Sequence, residues 1–372
     1  MEDLAGWLRL QQTPGLGPVR ARTLLAAFGL PSHIFRASPA ALRAHLPSTV
    51  AQALLSPASS AINAQIDLTQ AWLERPGNSL LTLADAAYPS CLLNIADPPL
   101  MLYIKGRAQL LSGAILAIVG SRNASAQGMA NAAHFAEALS HAGITIASGL
   151  ALGIDTAAHQ GGLLGPGSTI AVIGTGIDIV YPQRNRALAQ LIAEQGCIVS
   201  EYPLGMPAIP ANFPRRNRLI SGLSQAVLVV EAAAQSGSLI TARMALEQGR
   251  DIFAMPGSIH SALAKGCHAL IKQGAKLVEC VDDVLQELRT ATPGPATRAE
   301  NSAPAEQLLQ ELAPEQAHML AVLGHDPANV DTLAQRLGLD AAAVLGHLLA
   351  LELAGLIERL PGGLFQRCQQ GE

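Results

Sequence analysis

The sequence predicts an α/β protein: an extended Rossmann-like, doubly wound, mostly parallel sheet, preceded by a helical domain and followed by a winged helix. Three observations carry this. From Ala114 onward the apolar runs AILAIVG, ITIASG, STIAVIG, CIVSEY, AVLVVEA, DIFAMPG and AKLVE alternate with helical segments. Continuous apolar strands joined by helices are what a parallel sheet covered on both faces requires. Right-handed crossovers then wind it in both directions from its middle. The flanking stretches differ in texture, being short helices up to about Leu55 and three helices with a hairpin after Pro314.

Taken in order, residues 1–75 read as the helical domain. TPGLGPVRARTLLAAFGL is a Pro/Gly turn followed by apolar residues at helical spacing. A Ser/Ala/Pro passage at 56–61 leads to a helix ending near Arg75-Pro76-Gly77. The Rossmann-like domain spans 76–289. It opens with YPSCLLNIADPPLMLYIKG, whose prolines argue for an edge strand or a strap. TATPGPATRAENSAPAE marks a linker at 290–313, and 314–372 form the winged helix. Helices are expected there at 315–323, 330–337 and 341–353, with a hairpin about Pro361-Gly362-Gly363.

Bulk numbers exclude several function classes. At 372 residues, with 49 % apolar and 14 % charged side chains, the chain is a packed protein of two or three domains. No apolar run approaches the ~18 residues of a membrane span, and MEDLAGW is acidic where a secretory signal is basic. Five cysteines without a CxxC pair read as reduced thiols in a cytoplasm, not as a disulfide frame or zinc site. A net charge of −4 rules out a basic field over the whole protein, so nucleic-acid binding needs local clusters. Aromatics at 3 % argue against a groove built on many stacking rings.

The chemistry-bearing motifs fall at strand ends, where open α/β sheets bind their ligands. The first strand ends in IVGSRNASAQG, so Gly120, Ser121 and Arg122 offer bare N–H groups, a hydroxyl and a cation before a helix N-terminus. This is not GxGxxG, and the second strand ends in Ser148-Gly149 with no acid for a ribose, so no dinucleotide is expected. In SGLALGIDTAAHQGGL, Asp155 is placed to N-cap the next helix, with His159 one turn on. The two form either an acid–base pair or a cap with a local hydrogen bond. GTGIDIVYPQRNRAL sets Arg184 and Arg186 at a helix start, where they oppose the dipole unless an anion sits there. FPRRNRLISGLS packs Arg215, Arg216, Asn217 and Arg218 behind Phe213. EAAAQSGSLITAR puts Ser236, Gly237, Ser238 and Thr241 at another strand-to-helix turn, with Arg243 following, and a Pro-Gly turn precedes Lys265. Repeated turns of this kind along one sheet edge imply an elongated polyanion. No nucleophile–base pair or metal-ligand set assembles, so no catalytic residue, metal or cofactor is expected. Asp155, His159 and Glu231 near the turns keep a nucleotide-processing enzyme as the alternative.

At the N-terminus PGLGPVRARTLLAAFG resembles a helix-hairpin-helix (SAM-like) element, either presenting amides to phosphate or purely structural. Together GSR, SGLALGIDTAAH, GTGIDIVYP, FPRRNRLISGLS, EAAAQSGSLITA and PG…KG…LI…GA, in this order, resemble the DprA/Smf family, DNA-processing protein A. The resemblance implies a dimer that binds single-stranded DNA without sequence preference. It also implies loading of the RecA recombinase in natural transformation, with displacement of single-strand-binding protein. It makes Arg122 the main contact, with Gly120 and Ser121 beside it, Phe213 stacking on a base, and 215–218 and Arg243 along the same groove. Gln183 stands where many relatives have a lysine after Tyr-Pro. The presumed recognition helix, DAAAVLGHLLALELAG, has no Lys or Arg, which favours a protein contact or an accessory role. The apolar Leu270-Ile271 and Leu277-Val278 are either a dimer contact or core.

Overall fold

In a computed structural model, residues 2–290, 314–324, 327–354, 356–360 and 363–367 are described. The expected linker, apart from Thr290, and the Pro361-Gly362 turn lie outside them. The helices are α1 (Glu2–Gln12), α2 (Pro18–Phe28), α3 (Pro31–Arg36), α4 (Pro39–Arg43), α5 (Ser48–Leu55), α6 (Ser60–Leu73), α7 (Ser90–Leu93), α8 (Ala126–His141), α9 (Ile154–Gly162), α10 (Arg186–Gln195), α11 (Asn212–Leu223), α12 (Ser238–Glu247), α13 (Lys265–Lys272), α14 (Val281–Thr290), α15 (Pro314–Leu323), α16 (Val330–Leu337) and α17 (Ala341–Leu353). The strands are β1 (Asn78–Thr82), β2 (Met101–Gly106), β3 (Ile115–Val119), β4 (Thr145–Ser148), β5 (Thr169–Val172), β6 (Cys197–Ser200), β7 (Ala226–Val229), β8 (Asp251–Ala254), β9 (Lys276–Leu277), β10 (Ala328–Asn329), β11 (Ile357–Leu360) and β12 (Leu364–Arg367).

The large sheet runs β1-β2-β6-β5-β4-β3-β7-β8-β9. All pairs from β6 to β9 are parallel, while β1 and β2 add antiparallel strands at one side. Every residue of β3 to β7 is buried, because helices cover both faces. Leu116 and Ile118 point to the layer holding Phe135, Leu139 and Ile154 of α8 and α9. Ile115, Ala117 and Val119 point to the layer holding Leu219, Ile220 and Leu223 of α11 and Ala242 and Ala245 of α12. The chain moves outward from β3 to β6, then returns through α11 to β7 on the other side of β3. The carboxyl ends of β3 and β7 therefore flank the topological switch point, where such sheets leave a crevice.

One expectation needs correction. The proline-rich segment yields neither an edge strand nor a strap: Met101–Gly106 lies inside the sheet, hydrogen-bonded to β1 and β6. Pro98 and Pro99 precede the strand, so they cost it no ladder bond, and the edge role falls to β1. The helices α1–α6 pack on that side, with Trp7, Leu24, Leu54 and Trp72 sharing one core with Met101, Tyr103 and Ile192. In the C-terminal module α15, α16 and α17 pack on the three-stranded sheet β10-β12-β11 around Leu333, Val344, Leu348, Ile357 and Phe365.

Candidate nucleic-acid interface

The turn after β3 is built by its neighbours. An added Cβ on Gly120 would stand 2.6 Å from the Ile154 side chain, and one on Gly153, at φ +75°, 2.3 Å from the Ser121 carbonyl. Ile154 N–H donates to Ser121 O at 3.1 Å, so the start of α9 clamps the Gly-Ser-Arg turn. Ser125 N-caps α8, accepting from Gly128 N–H at 2.9 Å. Glu231, from the end of β7, receives the Ser125 N–H at 2.9 Å and its hydroxyl at 2.7 Å. Arg122 is exposed, and no hydrogen bond or ion pair holds its guanidinium among the described residues.

Beneath this turn lies a buried polar layer. Arg216 is only 4 % exposed; its Nη1 donates to the carbonyls of Gly149, at 2.7 Å, and Val172. Gly149 is glycine because a Cβ there would sit 2.6 Å from that nitrogen. Burial lowers the Arg216 pKa to about 10, partly offset by Asp155, so the group stays charged at neutral pH. Asp155 is not the N-cap, which is Gly153. Its carboxylate instead accepts the N–H groups of Gly149, at 3.1 Å, and Ala151, at 3.3 Å. His159 accepts Leu150 N–H on Nε2 at 3.2 Å, and its Nδ1 lies 2.7 Å from the Thr169 hydroxyl, which donates to Ile146 O. That chain requires the neutral Nδ1–H tautomer. Desolvation, then the Arg216 charge, accordingly holds the His159 pKa down at about 3. Asn185 closes the layer by donating to Leu150 O at 2.9 Å and Ala151 O at 3.2 Å. Asp155, His159 and Asn185 thus fix the loop after β4, where Leu150 takes a left-handed φ of 61°.

The remaining expected residues divide by exposure. Arg184, Arg215, Arg243 and Lys265 are exposed, Gly237 likewise, and Ser236 and Asn217 are partly so. The Lys265 ammonium donates to Ile259 O. Arg215 Nε lies 3.9 Å from Glu201. Phe213 packs against Gly174 and lies 5.4 Å, centroid to centroid, from Tyr181, which is 50 % exposed. Six residues expected along the surface lie inside instead. Ser148 donates to Ile118 O at 2.7 Å, and Gly149 is covered by Arg216. Arg216 and Arg218 are swallowed because α11 is buried almost all round, and Arg218 pairs with Glu201 and, at 3.0 Å, Asp97. Ser238 shares a 2.7 Å contact with Ser236, and Thr241 faces the core below it. Sequence reading missed Asn185 and Tyr181; the aromatic two residues before Gln183 was the available signal for the latter. Of the apolar quartet, Val278 is core, Leu270 and Ile271 are partly buried against the layer on the other side of the sheet, and Leu277 is 41 % exposed.

The exposed Arg122, Arg184 and Arg215 stand on segments that follow β3, β5 and β6, and the Tyr181–Phe213 ring pair lies beside the segment after β5. Among the described residues no three metal-binding side chains cluster, and no helix is long and apolar enough to cross a membrane.

Residues 79–289 match the family described as DNA recombination-mediator protein A, and residues 303–363 match the DprA winged helix domain. The chain is 44 % identical to Protein Smf of Escherichia coli over 301 residues, covering 80 % of each chain. It is 46 % identical to DNA processing protein DprA of Streptococcus pneumoniae over 60 % of this chain and 79 % of that one. The X-ray structure of the Streptococcus pneumoniae protein superposes with a TM-score of 0.61 at 37 % identity, over 75 % of this chain and 95 % of that one. DNA processing protein A from Helicobacter pylori, solved to explain its single-stranded DNA binding mode, gives 0.52 at 29 % identity, over 57 % and 97 %.

Proposed function

The chain belongs to the DNA recombination-mediator protein A family, and on that premise we propose that it binds single-stranded DNA without sequence preference and loads the RecA recombinase onto it during natural transformation. It acts as a cytoplasmic homodimer and displaces single-strand-binding protein. The observation that carries the reading is Arg122: an exposed guanidinium without a partner, on a turn clamped by Gly153 and Ile154, at the switch point of the sheet. A rigid, unpaired cation beside helix N-terminal amides is a phosphate site. Arg184, Arg215 and Arg243 extend it into a track, and Tyr181 with Phe213 gives bases a sequence-tolerant stacking surface.

The protein is not an enzyme in this reading. The acids and histidine that could serve a nucleotide-processing site are engaged in building the turns: Asp155 and His159 hold the β4 loop, and Glu231 holds Ser125. A salt-titrated binding assay on single-stranded against duplex oligonucleotides tests the proposal. Wild-type protein should prefer the single strand with a steep salt slope, and Arg122→Glu should abolish binding without lowering the melting temperature. Undiminished binding by that variant would remove the site.

A further inference from the structure

The C-terminal module touches the start of α8 through Glu358. This residue lies on β11 opposite Gln366, while its neighbour Ile357 and the cross-strand Phe365 turn into the module's own core. Glu358 Oε1 accepts the N–H of Gln127, in the first turn of α8, at 3.2 Å, and the neighbouring Ala126 N–H also favours the charged form of this carboxylate. Other first-turn donors of α8 are already assigned. Gly128 N–H goes to the Ser125 hydroxyl, and Ser125 N–H goes to Glu231. Of the two amides that follow Ser125, that of Gln127 is therefore held by an anion from a module more than two hundred residues away in sequence, with the Ala126 amide beside it. They lie four and five positions from Arg122. An anionic oxygen on bare amides at a helix start, beside that turn, has the position and chemistry of a phosphate.

Charge supports this independently of geometry. Residues 314–372 carry seven acidic side chains against three arginines, so the module accounts for the whole net charge of −4. Its α17 has no Lys or Arg and exposes Leu345 and Leu349. Such a module is a poor ligand for DNA and a good electrostatic match to an edge that carries unpaired arginines.

We propose that the winged helix is a built-in competitor of the strand: in the resting chain Glu358 occupies a phosphate position at the start of α8, and bound DNA displaces it. The inference rests on single-stranded DNA being the ligand of this edge. Apparent affinity is then lowered by the fraction of chains in which the module is undocked. Removing the Glu358 charge should recover that loss.

The test uses the full-length chain and a fluorescent oligothymidylate at low salt. Glu358→Gln keeps the size of the side chain, and Glu352→Gln removes the same charge from α17 as a control. We expect Glu358→Gln to tighten binding about fivefold to tenfold, and Glu352→Gln to leave it unchanged. Hydrogen exchange at the Ala126 and Gln127 amides should accelerate in Glu358→Gln and slow again on adding oligothymidylate. If wild-type protein binds, Arg122→Glu abolishes binding, and Glu358→Gln changes neither affinity nor exchange, competition is overturned while the DNA reading stands. If neither wild type nor Glu358→Gln binds the oligonucleotide, the DNA reading fails, and this inference with it.

Discussion

Replacing Gln183 with lysine adds to the loop after β5 the charge that the family resemblance leads one to expect there. Gln183 is exposed and opens a single 3-10 turn, Gln183–Asn185, beside the exposed Arg184. The turn is fixed in space, because Asn185 is 5 % exposed and bonded to the Leu150 and Ala151 carbonyls of the β4 loop. A cation added there joins the track without disturbing the layer beneath. One more neutralised phosphate on a single strand steepens the salt slope by about 0.7. At 0.1 M salt that slope corresponds to about fivefold tighter binding, or about 1 kcal/mol. Gln183→Glu should weaken binding by a similar factor. Fluorescence anisotropy of a labelled oligothymidylate at four salt concentrations reads both quantities. Unchanged affinity and slope in Gln183→Lys would refute the placement of this turn on the DNA path. A gain in affinity at constant slope would equally refute it, because no counterion would then have been released.

Phe213→Ala should cost about 1–3 kcal/mol of single-strand affinity with the salt slope unchanged, and Tyr181→Ala should follow the same pattern; a change in slope would mean that the rings act through the arginines. Gly153→Ala forces a Cβ to within 2.3 Å of Ser121 O at a φ of +75°, so its melting temperature should fall and DNA binding should weaken with it; wild-type values for both would show that the clamp is dispensable. His159 has a pKa of about 3 in the folded chain against about 6.5 unfolded. As pH falls below about 6.5 the unfolded state takes up the proton first, so this residue's stability is complete above that value and lost progressively down to about 3. The loss is at most about 1.4 kcal/mol per pH unit in that window. Urea midpoints at pH 7 and 4.5 should therefore converge in His159→Gln relative to wild type, and identical pH slopes would show that His159 is charged in the folded state.

The parallel sheet was legible because its strands are buried on both faces, which leaves unbroken apolar runs such as AILAIV and AVLVV. β1 was not: its residues are all half-buried, and NSLLT carries no such run. The arginine cluster was misread for a related reason. In a helix exposed on one side, Arg216 and Arg218 could not both be inside, since two residues on a helix are about 200° apart. Helix α11 is enclosed on opposite sides, so Arg216 meets the Gly149 and Val172 carbonyls while Arg218 meets Glu201 and Asp97. Buried guanidinium groups need such partners. Those partners come from three other strand ends and a loop more than a hundred residues upstream, and no local pattern announces that meeting.

The same inward turning explains how a chain of net charge −4 leaves arginines exposed at these turns. Asp155, Glu201 and Glu231 all stand at these turns. Asp155 spends its carboxylate on the Gly149 and Ala151 amides, Glu201 on Arg218, and Glu231 on Ser125. Each acid neutralises a donor below the surface and fixes a turn in doing so. Arg122, Arg184, Arg186 and Arg243 are left exposed, as is Arg215, which leans on Glu201. Field and rigidity thus have one origin, because the carboxylates that would cancel the arginines are the ones that hold the loops carrying them. In the proposed function the exposed Arg122 would serve as a phosphate anchor for that reason. Its turn is held by Ile154 and Gly153 from one side and by the Ser125–Glu231 pair from the other, so little conformational freedom remains to be lost when the strand binds.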